Sequence, residues 1–367
     1  MLRGSHLSLL VGLSAALLGQ PAGGQGPELL ESMSGTRGLV AHGKGGFLGA
    51  YPGSGPFTPI AGDLGRSLAL ADLDGDGFDD LIVGAPLLPS SPQTQVVDGA
   101  GHAYVIFGSE SQGAPGSGAK FELDPIAAGT ALNLFGDPGD RAGASVAAAG
   151  DVNGDGFQDA IIGTPDRSVG GRVGAGGAYI LFGSADLATL PTNQWLSSLA
   201  AQPGGRALFV QGAREFGAAG TSVSGDADLN ADGRADVVIG APLDSTNGLS
   251  ENGTATVLYG QPGFPGLHTL DLATLAAGQG TVVHGSVDLE FLGWALAGLG
   301  RFDAVLPQTN GQTHATLGDD VAIGAPGAQP AGKVFAGAVY VLRGVAAGSH
   351  AASYLASDFG NGPFKAG

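Results

Sequence analysis

The stretch Asp72-Leu-Asp74-Gly-Asp76-Gly77-Phe-Asp-Asp80 runs directly into an apolar segment that ends at Gly84-Ala-Pro86. The same arrangement returns from residue 151 to residue 165 and again from residue 228 to residue 242. Side-chain oxygens at positions 1, 3 and 5, with a glycine at position 6, are what a calcium ion needs from a short loop. We therefore predict a calcium-binding loop followed by a buried strand, copied three times along the chain.

The predicted calcium ligands follow one pattern in all three loops, namely side chains at positions 1, 3, 5 and 9 and the backbone carbonyl at position 7. They are Asp72, Asp74, Asp76, Phe78 and Asp80 in loop one; Asp151, Asn153, Asp155, Phe157 and Asp159 in loop two; and Asp228, Asn230, Asp232, Arg234 and Asp236 in loop three. Gly77, Gly156 and Gly233 permit the bend, because glycine tolerates a positive φ. Loop one has one carboxylate more than the others, so we expect it to bind calcium most tightly.

Two alternatives to a calcium loop of this type fit part of the pattern. An EF-hand begins in the same way but needs a bidentate glutamate at position 12. Position 12 here is Val83, Ile162 or Ile239, each inside a short β-branched run that indicates a strand. The other alternative is a set of solvated Asp/Gly turns, and three matched copies of such a turn argue against it.

The acidic loop belongs to a longer repeat with four strand-like segments. The Gly-Ala-Pro or Gly-Thr-Pro ending recurs about every 80 residues, at Pro86, Pro165, Pro242 and Pro326. The units run roughly over residues 60–135, 136–211, 212–285 and 286–367. Four short strands with glycine turns are typical of a blade of a β-propeller, and such blades must stack to bury their faces. The sequence therefore predicts an all-β propeller of four-stranded antiparallel blades spanning residues 25–367.

The fourth unit lacks the metal pattern. Arg301 stands where the other units have their first ligand, and Asp303 stands at the second ligand position. The segment Val305 to Leu317 then intervenes before Asp320, which aligns with the last acid of the other loops. A cation in place of a carboxylate repels calcium, so we expect this loop to be empty or differently closed, and three calcium ions per chain.

These motifs resemble the FG-GAP repeat of the integrin alpha-subunit N-terminal propeller and its bacterial relatives. The resemblance covers roughly residues 38–344, and it implies calcium in hairpin loops on one face and partner binding on the other. The family propeller has seven blades, whereas only four units are visible here. Residues 38–43 resemble a fourth strand with no unit before it, and residues 360–367 the start of another. We expect an open arc rather than a small closed ring.

Composition limits the class of protein. Residues 1–24 have the charged start, the apolar stretch and the small residues of a secretory signal, and no later segment is apolar enough to span a membrane. The chain has no cysteine, so its core and its metals must stabilise it without disulfides. Its net charge of -18 opposes binding to nucleic acid. We expect a secreted or cell-surface protein, or a periplasmic one.

The sequence contains no nucleophile elbow, no thiol and no zinc spacing, so we expect no enzymatic activity from this chain. The predicted function is a calcium-stabilised binding module of the adhesion type, with a protein or glycan partner. The alternative is the non-catalytic propeller of a larger extracellular hydrolase. Trp294 either fills space between blades or contacts a ligand, and His102 and His284 are expected to be packed or surface residues. Asn252-Gly-Thr254 is a glycosylation sequon.

Overall fold

The computed structural model describes residues 63–88, 98–109, 126–302, 318–344 and 353–357, except residues 203, 277, 331 and 332. Beyond these ranges it gives only the short strands Val40–His42, Gly46–Phe47, Pro59–Ile60 and Lys120–Glu122. The predicted signal segment, Asp303, the segment 305–317 and residues 360–367 lie outside the described residues. The described part is all-β, as expected. Its helical segments are short, namely Leu196–Ala201 (α) and the 3-10 turns Leu187–Thr189, Phe264–Gly266 and Leu272–Thr274.

Each repeat folds into one antiparallel sheet, a blade, in which neighbouring strands follow each other along the chain. The first strands are Leu68–Ala71, Val146–Gly150, Ser222–Ala227 and Ala295–Gly300; the second are Asp80–Ala85, Asp159–Gly163, Asp236–Ala241 and Asp320–Ala325. The third strands are His102–Ile106, Gly177–Leu181, Thr254–Leu258 and Ala338–Leu342; the fourth are Ala131–Phe135, Ala207–Gln211 and Gly280–His284. The strand-like segments of the sequence therefore fold as predicted, with a fourth strand described in the first three blades.

The prediction of four strands per blade was incomplete, because the first three blades have a fifth. Asn193–Trp195 pairs in parallel with the fourth strand of the first blade, although it belongs to the second repeat. Thr269–Asp271 from the third repeat joins the second blade, and Ser353–Leu355 from the fourth repeat joins the third blade. The second, third and fourth repeats thus each contribute the fifth strand at the outer edge of the preceding blade. This exchange ties neighbouring blades together and covers an edge that would otherwise be exposed.

The first repeat also lends a strand. Lys120–Glu122 lies between its third and fourth strands and pairs in parallel with Val40–His42. In the other blades such a strand pairs in parallel with a fourth strand, so Val40–His42 pairs as a fourth strand does. This pairing agrees with the prediction from the sequence that residues 38–43 resemble a fourth strand.

The hydrophobic core lies between the blades. Successive residues of a central strand point to opposite faces, so Ile162 packs in the cluster shared with the first blade and Ile161 in the cluster shared with the third. A third cluster, which includes Val257 and Val321, lies between the third and fourth blades. Both faces of a middle blade are therefore apolar, and the repeat is stable only when it is stacked.

Glycines allow the blades to approach each other closely. The glycine of the Gly-Ala-Pro or Gly-Thr-Pro ending, such as Gly163, lies against the glycine that opens the next blade, here Gly220, and a Cβ on Gly163 would overlap the Gly220 carbonyl oxygen. The other described junctions repeat this contact with the pairs Gly84 and Gly143, and Gly240 and Gly293. The described blades contact one another in chain order, and the described strands form no closed ring. Leu68 in the first strand of the first blade is 51% exposed, and Val339 in the fourth blade is 69% exposed.

Candidate metal loops

Loop one is held by its first acid. Asp72 accepts hydrogen bonds from the backbone N–H groups of Gly75 and Gly77 at 2.8 and 3.0 Å. Asp74 accepts from Asp76 N at 3.2 Å, and Asp76 accepts from Phe78 N at 2.8 Å. The φ angle of Gly77 is +91°, as predicted for the residue that makes the bend. The side chains at positions 1, 3 and 5 are therefore ordered by the turn that they close.

Loops two and three form the same turn. Asp151 accepts from Gly156 N at 2.8 Å, and Asp228 accepts from Gly233 N at 2.9 Å. The glycines at position 6 again have positive φ angles, +95° and +88°. The repeated sequence pattern therefore corresponds to a repeated backbone conformation, and the three loops can be compared position by position.

The loops differ in the charge that they bring together. In loop one, carboxylate oxygens of Asp72, Asp74 and Asp76 all lie within 4.8 Å of one another. Burial, together with the charges of its two neighbours, raises the pKa of Asp74. In loop two the side-chain amide of Asn153 instead donates to Asp155 at 2.9 Å. Loop one therefore has the strongest need for a cation, because its repulsion is not relieved by an amide donor.

In loop three a basic side chain already contacts the carboxylates. Arg234 donates from Nη2 to Asp232 Oδ2 at 2.8 Å and from Nε to the Gly260 carbonyl at 3.1 Å. Asn230 donates to the same oxygen of Asp232 at 3.1 Å. The acid at position 5 of loop three is thus partly neutralised by the protein itself.

The acids at position 9 have a structural role that the sequence did not reveal. Asp159 is fully buried, and its two oxygens accept from Val152 N and Gly183 N, both at 2.9 Å. Asp80 and Asp236 make the equivalent pairs of bonds. Burial raises the pKa of Asp159 to about 8, although its two backbone donors oppose the shift. These acids join the loop to the end of the third strand, so they can serve both as ligands and as parts of the fold.

The loops lie next to one another along one face of the blades. The ring of Phe157 in loop two lies over Gly75 of loop one, and the aliphatic part of Arg234 in loop three lies near Gly154 of loop two. Phe78 has no described loop beneath it and is 44% exposed. Ordering one loop therefore affects the next, since the residue at position 7 packs on the preceding loop.

The fourth unit keeps only part of this arrangement. Arg301, in place of the first ligand, is exposed, and Asp303 lies outside the described residues. Asp320 is 1% exposed and accepts from Gly344 N at 2.9 Å, as the other position-9 acids accept from their glycines. Asp319, beside it, contacts loop three through its N–H, which donates to the Asp228 carbonyl at 2.7 Å. The fourth unit thus preserves the structural acid, whereas its described residues lack an acid at position 1.

The structure also shows the surroundings of three other residues considered from the sequence, namely Trp294, His102 and Asn252. Trp294 is 52% exposed beside Phe291, so it does not fill space between two described blades. His102 is packed, as expected, since its Nδ1 lies 2.9 Å from Asn133 Oδ1. Asn252 is fully buried, and its amide nitrogen donates to Thr246 and to the Gly285 carbonyl. A glycan on Asn252 is therefore incompatible with the folded third blade.

The donor set of the loops fits a calcium ion. The side chains at positions 1, 3 and 5 offer carboxylate or amide oxygens as ligand atoms; the chain has no cysteine, and no histidine belongs to the cluster found among the described residues. Hard oxygen donors that converge on one point suit calcium or magnesium, and a flexible turn with many carboxylates suits the larger ion. Loop one meets this requirement most fully, through Asp72, Asp74 and Asp76.

Comparison with known proteins agrees with the repeat. The FG-GAP repeat family matches residues 64–106, 142–181 and 219–258. The chain is 31% identical over 263 residues to the phosphatidylinositol-glycan-specific phospholipase D of Dictyostelium discoideum, covering 68% of this chain and 25% of that protein. It is 30% identical to integrin alpha-PS2 of Drosophila melanogaster over 48% of this chain and 11% of that protein, and 31% identical to integrin alpha-5 of Xenopus laevis over 50% and 15%. The chain thus corresponds to a quarter or less of the length of these relatives.

The stacked blades and the acidic loops define a β-propeller repeat protein. The matched repeats coincide with the first three strands of the first three blades. The chain is an FG-GAP repeat protein similar to integrin alpha subunits. Within the described residues, no helix has the length and apolar character needed to cross a membrane.

Proposed function

We propose that this chain is a secreted or cell-surface binding module whose propeller is stabilised by calcium in loops one, two and three. The observation that carries the proposal is the convergence of Asp72, Asp74 and Asp76 within 4.8 Å in a turn that the next two blades repeat. A folded loop brings these charges together, and a cation that binds only the folded loop stabilises it. At 100-fold saturation one such site contributes about 2.7 kcal/mol.

In this proposal the residues at positions 1, 3, 5 and 9 and the carbonyl at position 7 hold the ion. Calcium supplies charge neutralisation and fixes the turn, and no chemical step depends on it. Because position 7 of one loop packs on the preceding loop, calcium would also strengthen the contact between blades. Neighbouring Asp/Gly loops at one end leave the other end of the blades for a protein or glycan partner.

The extracellular assignment is supported by similarity to integrin alpha subunits and by the signal-like residues 1–24. Calcium sites of millimolar affinity are sufficient outside a cell, where weak calcium modules operate. The absence of cysteine means that export is not accompanied by disulfide formation in this chain. Calcium held by oxygen ligands takes the stabilising role that disulfides have in many exported domains.

The similarity to a phospholipase D favours a second candidate function, the propeller arm of a larger extracellular hydrolase. In that case this chain contributes binding, and the reaction belongs to a domain outside the 367 residues. The gene sequence on either side of this chain separates the two candidates, since a hydrolase domain in the same reading frame supports the second.

Isothermal titration of the chelator-stripped chain with calcium tests the first proposal. We expect three ions per chain, falling to two in Asp155→Ala and remaining three in Arg301→Ala, because Arg301 replaces a ligand rather than supplying one. Circular dichroism of each variant checks that the blades are folded. A titration without saturable heat, or a stoichiometry unchanged in Asp155→Ala, contradicts the proposal.

A further inference from the structure

The third blade contains a cavity where the second blade has aromatic side chains. In the second blade Tyr179 and Phe209 are register partners on neighbouring strands, with their ring centroids 4.8 Å apart. The register partners at the equivalent place in the third blade are Thr256 and Val282. The loss of two rings leaves a cavity of about 170 Å³.

The charged residues around the cavity also differ from those at the equivalent position in the second blade. In the second blade Arg167 lies over the Phe209 ring and forms ion pairs with Asp137 and Asp140, which precede that blade. In the third blade the acid is Asp244, in the segment that follows the second strand, and the base is Arg214, in the segment before the blade. Their closest charged atoms are 3.5 Å apart. The two charges offset each other, so the cavity has little net charge.

One polar atom beside the cavity has no partner. His284 Nδ1 is buried and makes no hydrogen bond, whereas its register counterpart in the second blade is Gln211. Burial and the nearby Arg214 lower the pKa of His284, so the imidazole is neutral at pH 7 and can donate or accept one hydrogen bond. An unpaired buried polar atom costs free energy that a bound molecule can recover.

The rest of the cavity wall consists of a hydrogen-bond acceptor, hydroxyl groups and apolar side chains. Asp244 is 2% exposed and accepts from the Thr254 hydroxyl at 2.9 Å. Leu272 and Val282 line the cavity with apolar surface. Arg214 lies at its solvent side, with its side chain 45% exposed, so a molecule from solution can reach the cavity there.

We propose that this cavity binds a neutral, hydroxylated ring of about the size of one monosaccharide. A cavity of about 150 Å³ accommodates benzene, so about 170 Å³ holds one six-membered ring, and some hydroxyl groups of a monosaccharide would remain on the solvent side beside Arg214. The hydroxyls of such a ring donate to Asp244 and pair with neutral His284, while its C–H face packs on Leu272 and Val282. A charged ligand is disfavoured, because Asp244 and Arg214 already neutralise each other and a third charge would lose its hydration without gaining an unpaired counter-charge.

The site is separate from the metal loops. The acidic loops precede the second strand of each blade, whereas Asp244 follows that strand and therefore lies at the opposite end of the sheet. The proposal extends the binding function by assigning one site and one ligand class. It does not depend on calcium stoichiometry, so the two proposals can fail independently when the calcium concentration is held fixed.

Saturation-transfer NMR on the whole chain in constant calcium tests the proposal, with glucose, galactose and mannose as probes and glucuronic acid and glucosamine as charged comparisons. We expect transfer to at least one neutral sugar and weaker transfer to both charged ones. Thr256→Tyr, which copies the second blade, should reduce transfer at least tenfold while the melting temperature stays equal or rises.

A second variant tests the site without filling the cavity, in case Thr256→Tyr does not fold. His284→Gln also copies the second blade, keeps a polar side chain and should weaken binding of the same sugar severalfold. Val339→Ala, an exposed position on the fourth blade, is the control and should leave the transfer unchanged. The proposal is overturned if no neutral sugar binds, if charged sugars bind equally well, or if folded Thr256→Tyr and His284→Gln both bind as the unaltered chain does.

Discussion

The sequence motif combines a loop closed by an acid at position 1 with a buried acid at position 9. Comparison of the first three blades with the fourth separates these two properties. The second blade has both a loop closed by Asp151 and a buried acid, Asp159, that joins this loop to the third strand. The fourth blade keeps the buried acid as Asp320 and its Gly324-Ala-Pro ending but has Arg301 at position 1. The acid at position 1 can therefore be lost while the blade still forms, whereas the buried acid at position 9 is present in all four blades.

The same comparison applies to contacts between blades. Gly163 lies against the next blade, whereas the nearest atom to a Cβ built on Gly324 is Ala295 Cβ at 3.4 Å, within the same blade. The first strand of the fourth blade, Ala295–Gly300, is largely exposed. The glycine of the ending is thus required by a neighbouring blade and not by the strand that contains it.

The largest effect is expected for Asp159→Ala. The substitution leaves the buried N–H groups of Val152 and Gly183 without an acceptor, and each unpaired group costs about 1–3 kcal/mol. We expect a loss of about 2–6 kcal/mol in urea unfolding with chelator present, so that metal binding does not contribute. Asp155→Ala in the same exposed loop is the control and should cost less than about 1 kcal/mol under these conditions. Equal losses in the two variants would mean that position 9 acts only as a ligand.

A smaller effect is expected for Gly163→Ala. The added methyl group overlaps the Gly220 carbonyl oxygen, so the backbone of one blade must move, at a cost of about 1–3 kcal/mol. Gly324→Ala is the matched substitution in the fourth blade and should change the unfolding free energy by less than about 0.5 kcal/mol. Urea denaturation of both variants measures the difference. A loss in Gly324→Ala as large as in Gly163→Ala would contradict the assignment of this glycine to contacts between blades.

The smallest effect concerns calcium affinity in loop three. Arg234→Gln removes the cation that pairs with Asp232, so the loop should bind calcium up to about fivefold more tightly, as expected for a partly exposed ion pair. Arg141→Gln removes the same charge at the opposite end of the second blade, where Arg141 pairs with Asp166, and should leave the affinity unchanged. Competition with a fluorescent calcium indicator resolves the difference. If both variants shift the affinity equally, net charge rather than the local contact is responsible.

The sequence predicted the strands, the turns and the spacing of the repeat because these depend on local pattern. The bend at Gly77 and the run that follows Asp80 are both visible in a window of a dozen residues. The fifth strand was missed because Asn193–Trp195 has three residues and no apolar alternation, and it forms only against a neighbouring blade. The cavity was missed for a similar reason, since Thr256 is informative only beside its counterpart Tyr179.

The role of the position-9 acids was predicted only in part. Their constant spacing within the chain predicts a shared function, and calcium ligation remains the prediction for it. The second function depends on Gly183 N, which lies 24 residues from Asp159 and is brought to it by the third strand. Sequence spacing alone does not reveal such a contact, because it depends on how the sheet is paired.

The central claim is that calcium stabilises the stacked blades, and the melting temperature of the whole chain in millimolar calcium and in excess chelator tests it most directly. Three sites near 100-fold saturation would each contribute about 2.7 kcal/mol, which corresponds to a rise of several degrees for a chain of this size. We predict that chelator lowers the melting temperature by at least about 5 °C and that added calcium restores it. A melting temperature that is the same in chelator and in calcium would contradict the account.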